Sequence, residues 1–236
     1  MKFPPLQRGR LLRRYKRFLA DILLEDGREV TAHCGNPGSM KGLLEPAPTV
    51  WLSPASSGKL AYRWQLAQLR DGSDTFVYVQ PAGANQLILE ALESKRIPDL
   101  PAYEVIESEV PYGPNTRFDF RLTGPGGMTW VEVKNATLSL GAGRVAFPDS
   151  VTKRGTKHLR ELTEIVRSGA RAALIFCASR SDAQSVEAAA LIDPDYAAAL
   201  RDARENGVAV MAMATEISPQ EVVATKLLPM RWPGED

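Results

Sequence analysis

Between Arg117 and Lys134 the chain has few options other than a β-hairpin. Two alternating runs, Arg117–Leu122 and Thr129–Lys134, flank Thr123-Gly-Pro-Gly-Gly-Met128. Glycine and proline form turns, and the flanking runs are rich in aromatic and β-branched residues. A turn centred between Pro125 and Gly126 fixes the register, with Phe120 opposite Val131, Asp119 opposite Glu132 and Arg117 opposite Lys134. Side chains alternate across a strand. The expectation is therefore one face carrying Arg117, Asp119, Glu132 and Lys134, and a core face of Phe118, Phe120, Leu122, Val131 and Val133.

Like charges opposite one another on paired strands are destabilising. A divalent cation between Asp119 and Glu132 removes that conflict, because hard cations take carboxylate oxygens. Glu132 and Lys134, two apart, then set an ammonium beside the metal. An acid followed at a distance by Glu-x-Lys is the pattern of the PD-(D/E)xK nuclease core. The plainer alternative is a surface ion cluster in which Arg117 and Lys134 neutralise the acids, as exposed pairs commonly do at little energetic value.

The chain has 236 residues, 44% hydrophobic and 24% charged. That suits a packed globular protein of one large or two small domains. A net charge of +1 excludes any argument from overall balance. The distribution says more, since residues 1–17 hold Lys2, Arg8, Arg10, Arg13, Arg14, Lys16 and Arg17 and no acid. This end suits a polyanion or a membrane surface, or is a solvated basic first strand. Cys34 and Cys177 fit no metal-ligand spacing and point to a reducing cytoplasm, with Cys177 buried. No run approaches the roughly 20 apolar residues of a membrane helix, so no membrane partner is expected.

Residues 1–82 read as β. Phe18–Leu24, Glu29–Cys34, Thr49–Leu52, Leu60–Leu69 and Thr75–Gln80 are short strands, the last two joined across Arg70-Asp-Gly-Ser-Asp74. About five strands of this kind suggest an OB-like barrel. Trp51, Tyr62, Trp64 and Tyr78 are either barrel filling or stacking platforms for bases. The loop His33-Cys-Gly-Asn-Pro-Gly-Ser-Met40 is either an ordinary glycine-rich connection or a backbone nest for phosphate. Pro81-Ala-Gly-Ala84 marks a domain boundary, giving 1–82 and 83–236.

From Asn85, read as a helix cap, the period becomes helical through Leu87, Ile88, Ala91 and Leu92. Glu90 lies off that stripe, either solvated or within reach of a metal. Tyr103–Val110 is the next strand, leading into the hairpin. The hairpin's second strand runs on to Leu138, and Gly141 and Gly143 then loosen the chain. A helix over Val151–Arg167 buries Leu159, Leu162, Ile165 and Val166 and carries Lys153, Arg154, Lys157, His158 and Arg160 in its first half. Cations at a helix start oppose the macrodipole, so an anion fits there, unless Glu161 and Glu164 balance the charge. Ala172–Ala178 reads as a strand buried on both sides. Asp195–Glu205 is a helix and Val208–Ala214 a further strand. The sum is a mixed sheet with helices on both faces.

This order, with Asp119 on one strand and Glu132 and Lys134 on the next, is similar to the PD-(D/E)xK nuclease fold. The fuller sequence resembles the sugar fermentation stimulation protein A family. The resemblance rests on His33–Met40, Lys59-Leu-Ala-Tyr-Arg-Trp64, Arg117-Phe-Asp-Phe120, Val131-Glu-Val-Lys-Asn135, Phe147–Leu159 and Asp193-Pro-Asp-Tyr196. One departure is Cys34-Gly-Asn-Pro-Gly-Ser-Met40, where the family usually reads Cys-Pro-Asn-Thr-Gly-Ser-Met. The resemblance implies an α/β chain of two domains, an N-terminal OB-like barrel and a nuclease-like C-terminal domain. It also implies DNA binding and a role in regulating sugar (maltose) metabolism.

Two functions follow as expectations. In the first, a metal-dependent nuclease, Asp119, Glu132 and the Val133 carbonyl hold Mg²⁺ or Mn²⁺, and Lys134 completes the catalytic set. Arg13, Arg14, Lys16, Arg117, Lys153, Arg154, Lys157 and His158 meet nucleic acid, DNA or RNA. In the second, the chain is a DNA-binding regulator that does not cut, although no helix-turn-helix pattern is evident. A carbohydrate hydrolase has its carboxylate pair available, but Lys134 and the basic helix suit a phosphodiester better. The sequence leaves open whether the chain acts alone or as a homodimer.

Overall fold

The computed structural model describes residues 1–69 and 74–232, so most of the turn read at Arg70–Asp74 lies outside the described residues. The first strands are β1 (Gln7–Tyr15), β2 (Leu19–Leu24), β3 (Glu29–His33), β4 (Thr49–Pro54), β5 (Tyr62–Gln68) and β6 (Phe76–Tyr78). β1 pairs antiparallel with β2 and β4, β2 with β3, and β4 with β5. A short parallel pairing of β3 with β5 closes the ring, at Ala32↔Tyr62 and His33↔Arg63. The result is a closed, OB-like five-stranded barrel filled by Leu11, Ile22, Val50, Leu52 and Trp64. Each large buried side chain of this kind contributes roughly 1.5–3 kcal/mol.

The ring's membership differs from the sequence reading. The basic arm supplies β1, and Thr75–Gln80 supplies β6, an extra strand on β5 outside the ring. β1 buries only Gly9 and Leu11, which fits the solvated basic first strand read from the sequence, although that strand was not counted in the ring. Trp64 and Tyr78 are buried, so neither is a stacking platform.

The remaining elements are α1 (Pro81–Glu93), β7 (Val105–Tyr112), β8 (Thr116–Gly124), β9 (Gly127–Ala136), β10 (Leu138–Gly141), β11 (Arg144–Phe147), α2 (Lys153–Arg167), β12 (Arg171–Ala178), β13 (Ser185–Ala188), α3 (Pro194–Glu205), β14 (Ala209–Ile217), β15 (Val222–Leu228) and β16 (Met230–Arg231). The main sheet runs β15-β14-β12-β9-β8-β7, with β12 parallel to β9 and β14. Leu87, Ile88 and Leu92 of α1 pack on one face, against Val131, Val133 and Ile175. Leu159, Leu162 and Ile165 of α2 and Leu200 of α3 pack on the other, against Leu174 and Phe176. This is a mixed-sheet α/β domain with three helices among the described residues. Leu66 and Tyr78 of the β1–β6 region belong to the same apolar cluster as α1, so the two domains share one core.

A second sheet, β10-β11-β13-β16, replaces the loosened loop read around Gly141 and Gly143. Gly141, Ala142 and Gly143 take φ of 86°, 50° and 72° and form the turn of a β10–β11 hairpin. A Pro at N1 starts α1 at residue 81 with Gln80 as its cap, so Asn85 lies inside the helix rather than at its end. The main hairpin keeps its expected register from Phe120↔Val131 to Gly124↔Gly127, but its ladder does not extend to the expected pairs Asp119↔Glu132 and Arg117↔Lys134.

One expectation about faces fails. Phe118 packs in the α2-side core while Phe120 packs in the α1-side core, although they are two apart. The cause lies in the neighbouring strand. β7 aligns Ser108 with Phe120 and Val110 with Phe118, and Glu109 between them has φ 55°. At that left-handed residue both strands change the face they present. Asp119 sits at the change.

Candidate functional site

Glu132 lies on β9, between β8 and β12 at the centre of the main sheet, and is 4% exposed. Burial alone pushes its carboxyl up. A 2.5 Å contact with His158 Nδ1 of α2 and the ion pair with Lys134 outweigh that and hold it below the usual range. Both partners use Oε1, and Oε2 is buried with no partner. Tyr196, whose buried hydroxyl also lacks a partner, is raised by burial and by the Glu132 charge.

Asp119 reaches the same spot from β8. Its Oδ2 accepts the Val133 N–H at 2.7 Å, at the end of the β8–β9 ladder. Its Oδ1 accepts from Asn85 Nδ2 of α1 at 2.6 Å. Burial, then the Glu132 charge, pushes Asp119 up to about 6. The two acids are therefore held from opposite layers, Asp119 by α1 and Glu132 by α2, while the Glu132 charge acts on Asp119.

Next to them lies a cavity of about 520 Å³ that both domains line. Asn36, Pro37 and Gly38 form one wall, Asn85, Val133 and Lys134 another, and Phe147–Thr152 a third. Asp149 joins the first wall to the third. It accepts the Met40 N–H on Oδ2 at 2.9 Å, and its carbonyl accepts from Ser39 Oγ at 3.0 Å. At Gly38 a Cβ would meet Asp149 Oδ2 at 2.7 Å, so a larger residue would push the Asp149 carboxylate from its place. Arg14 donates to the Asn36 and Gly38 carbonyls at 2.8 and 3.0 Å. Thr152 caps α2, and Asp193 accepts both the Thr152 N–H (2.7 Å) and the Tyr196 N–H (2.9 Å). These bonds seat the starts of α2 and α3 behind the cavity.

Asp119, Glu132, Val133 and Lys134 are thus brought together. Arg117 is not; it pairs across from Pro111, is exposed, and lies 4.0 Å from Glu109. His158 is buried on Glu132 and cannot seat a phosphate. Arg154 donates to His158, and Lys157 is taken up by Asn115, Thr116 and Glu161, while Lys153 stays exposed. Arg13 pairs with Asp21, Arg14 braces the loop, and Lys16 is exposed in the β1–β2 turn. Glu90 accepts from the Met1 amine and from Gln86, away from the acids.

Sequence reasoning missed Asn85 and Asp149, and misread His158. For two of them a signal existed. Asn85 shares a helical stripe with Ile88 and Leu92, and His158 with Leu162 and Ile165. A polar residue on an apolar stripe is a buried polar group in search of a partner.

The residues fit a hard divalent cation. Glu132 Oε2 is an orphaned buried oxygen, and Asp119 is held above its usual range by burial and then by the Glu132 charge, which a cation would offset. Among the described residues no group of three or more His, Cys, Asp or Glu is gathered for a metal. Two carboxylates suit Mg²⁺, which usually keeps several waters and takes phosphate oxygens from its substrate.

By its architecture the chain is an OB-like barrel followed by a mixed-sheet α/β domain, with paired carboxylates on adjoining strands of that sheet. Residues 82–221 match the family described as "Sugar fermentation stimulation protein RE domain", and residues 12–79 match "SfsA N-terminal OB domain". The chain belongs to the SfsA family. It is 48% identical to the sugar fermentation stimulation protein homolog of Ruegeria pomeroyi, over 93% of this chain and 96% of that one. It is 45% identical to the homolog of Pelobacter propionicus, over 98% and 99%. A solved structure, Pyrococcus furiosus SfsA in complex with Ca²⁺, shares the fold at TM-score 0.87 and 24% identity, over 98% of each chain.

Proposed function

We propose that this chain is a divalent-metal-dependent nuclease that hydrolyses phosphodiester bonds of DNA or RNA, with Asp119, Glu132 and the Val133 carbonyl holding Mg²⁺ or Mn²⁺. The observation that carries the reading is the unpartnered Glu132 Oε2 beside a carboxyl raised to about 6. The Ca²⁺ complex of the Pyrococcus furiosus relative supports a hard-cation site in this fold. When bound, such a cation supplies a water of lowered pKa and offsets charge on the phosphate.

The chain's own residues do the rest. Asn85 and the Val133 N–H fix the Asp119 carboxyl, and His158 fixes Glu132 so that Oε1 is occupied and Oε2 is free. Lys134 lines the cavity with its ammonium on Glu132, placed to stabilise negative charge developing on a phosphate in a partly water-excluded site. Exposed Lys153 lies at the start of α2, next to the Phe147–Thr152 wall.

A second reading, a DNA-binding regulator that does not cut, draws on one observation: Lys134 already neutralises Glu132 without a metal. One experiment separates the two. Labelled single- and double-stranded DNA and RNA are incubated with and without Mg²⁺, wild type beside Glu132→Ala and Lys134→Ala. The nuclease reading expects Mg²⁺-dependent cleavage, reduced about 10²-fold or more in each variant. Unimpaired cleavage by Glu132→Ala, or binding with no cleavage under any condition, removes it.

A further inference from the structure

The barrel carries a second cavity, of about 480 Å³, which shares no lining residue with the cavity beside the paired acids. Its wall is set by the seam that closes the ring. Leu19, His33 and Arg63 are register neighbours there, through Leu19↔His33 and His33↔Arg63. Ala20, Ala32 and Trp64 beside them point into the barrel and are fully buried, so these three side chains point outward. Leu60 and Ala55 line the floor, and exposed Lys59 sits on the rim.

The aromatic component is unusual for a surface. The Phe18 ring is 44% exposed and lies parallel to His33, 4° between planes and 6.2 Å between centroids. Lys16 and Arg17, both exposed, precede Phe18 in the β1–β2 turn. An apolar floor, a flat platform of two rings, and cations from two loops match what an unpaired nucleobase and its phosphates need. A duplex does not present the face of its bases.

We infer that this cavity, together with the Phe18 ring stacked on its lining residue His33, is a nucleobase subsite for single-stranded nucleic acid, with the two rings as the stacking platform and Lys59 and Arg63 on the backbone phosphates. The inference rests on the nuclease reading for its substrate class and narrows it to an unpaired strand. His33 opens the same loop whose Asn36, Pro37 and Gly38 wall the cavity beside Lys134, so one strand can follow the loop from base subsite to acids.

The test is fluorescence anisotropy with a labelled oligothymidylate and a blunt duplex of equal length, on the full chain in EDTA. Without metal no cleavage enters the measurement, so failure of the nuclease reading and failure of this one are told apart. The expected result is tighter binding of the single strand, weakened about tenfold by Phe18→Ala or His33→Ala and retained by His33→Phe. Arg63→Ala should flatten the salt dependence by about 0.7 in the log–log slope. Equal or tighter duplex binding, or Phe18→Ala and His33→Ala variants that bind the single strand as wild type does, overturns the inference. His33→Phe and Arg63→Ala alter only outward-facing side chains, so they keep it falsifiable if an alanine variant fails to fold.

Discussion

Asp119 concentrates the site's conflict in one carboxyl. Its folded pKa of about 6 lies above the ordinary carboxyl value of 3.8 that holds in the unfolded chain. Between those values the folded chain retains a proton that the unfolded chain has released. The Asp119 contribution to metal-free stability should therefore be greatest at the acid end, fall as pH rises through that window, and level off above it, by on the order of 2–3 kcal/mol. Glu132 is shifted the other way, so its contribution is present above its ordinary pKa and lost only at lower pH. Denaturant midpoints in EDTA at about pH 4 and about pH 7 should differ for the wild type. They should differ far less for Asp119→Asn, which cannot release the proton. Saturating Mg²⁺ at about pH 7 should recover the loss in the wild type alone. Equal pH slopes in the two proteins would show that Asp119 is not the strained group.

At the scale of elements, the register of β8 and β9 was legible because glycine and proline bracket a turn and the flanking runs alternate. The apolar run of β12 was legible because a strand buried on both faces has no polar side to show. Three things were not. The change of face at Asp119 follows from a left-handed backbone at Glu109, a non-glycine residue that carries no sign of it. The second sheet is built from strands of two to four residues, too short for a period to register. The joint between α2 and α3 is a side chain of one serving the backbone of the other, and no local pattern reports that. Asp193 makes this joint while 2% exposed, taking the Thr152 and Tyr196 N–H groups. Asp193→Ala leaves two N–H groups without their acceptor and removes a cap, so a loss of about 2–4 kcal/mol is expected in equilibrium unfolding. Asp193→Asn, which keeps an acceptor, should lose less. A wild-type midpoint for the alanine variant would show the joint to be dispensable.

For the whole molecule, the barrel and the α/β domain are fastened at two places besides the bonds of Met1 and Phe3 to Val222, Gln220 and Glu90. One is the shared core around Leu66, Tyr78 and α1, extended by β6, where Tyr78 N–H donates to the Ser179 carbonyl at 3.0 Å and Ser181 N–H to that of Phe76 at 2.9 Å. The other is the Asp149 clamp on Ser39 and Met40, which is polar, local and next to the cavity. The first contact fixes how the domains sit, and the second fixes only the wall they contribute jointly. Asp149 holds that wall and touches neither Asp119 nor Glu132 by any hydrogen bond or ion pair in the structure. Asp149→Ala should therefore leave global stability within about 1 kcal/mol, as for a partly exposed polar contact. It should also release the backbone of residues 36–40 to faster hydrogen exchange. If the wall positions substrate, the same variant should raise KM several-fold while kcat changes little, the mark of lost binding rather than lost transition-state stabilisation. A kcat loss as large as that of Glu132→Ala would instead place Asp149 among the reacting groups. Unchanged exchange and unchanged KM would mean that the core contact alone holds the loop against the acids.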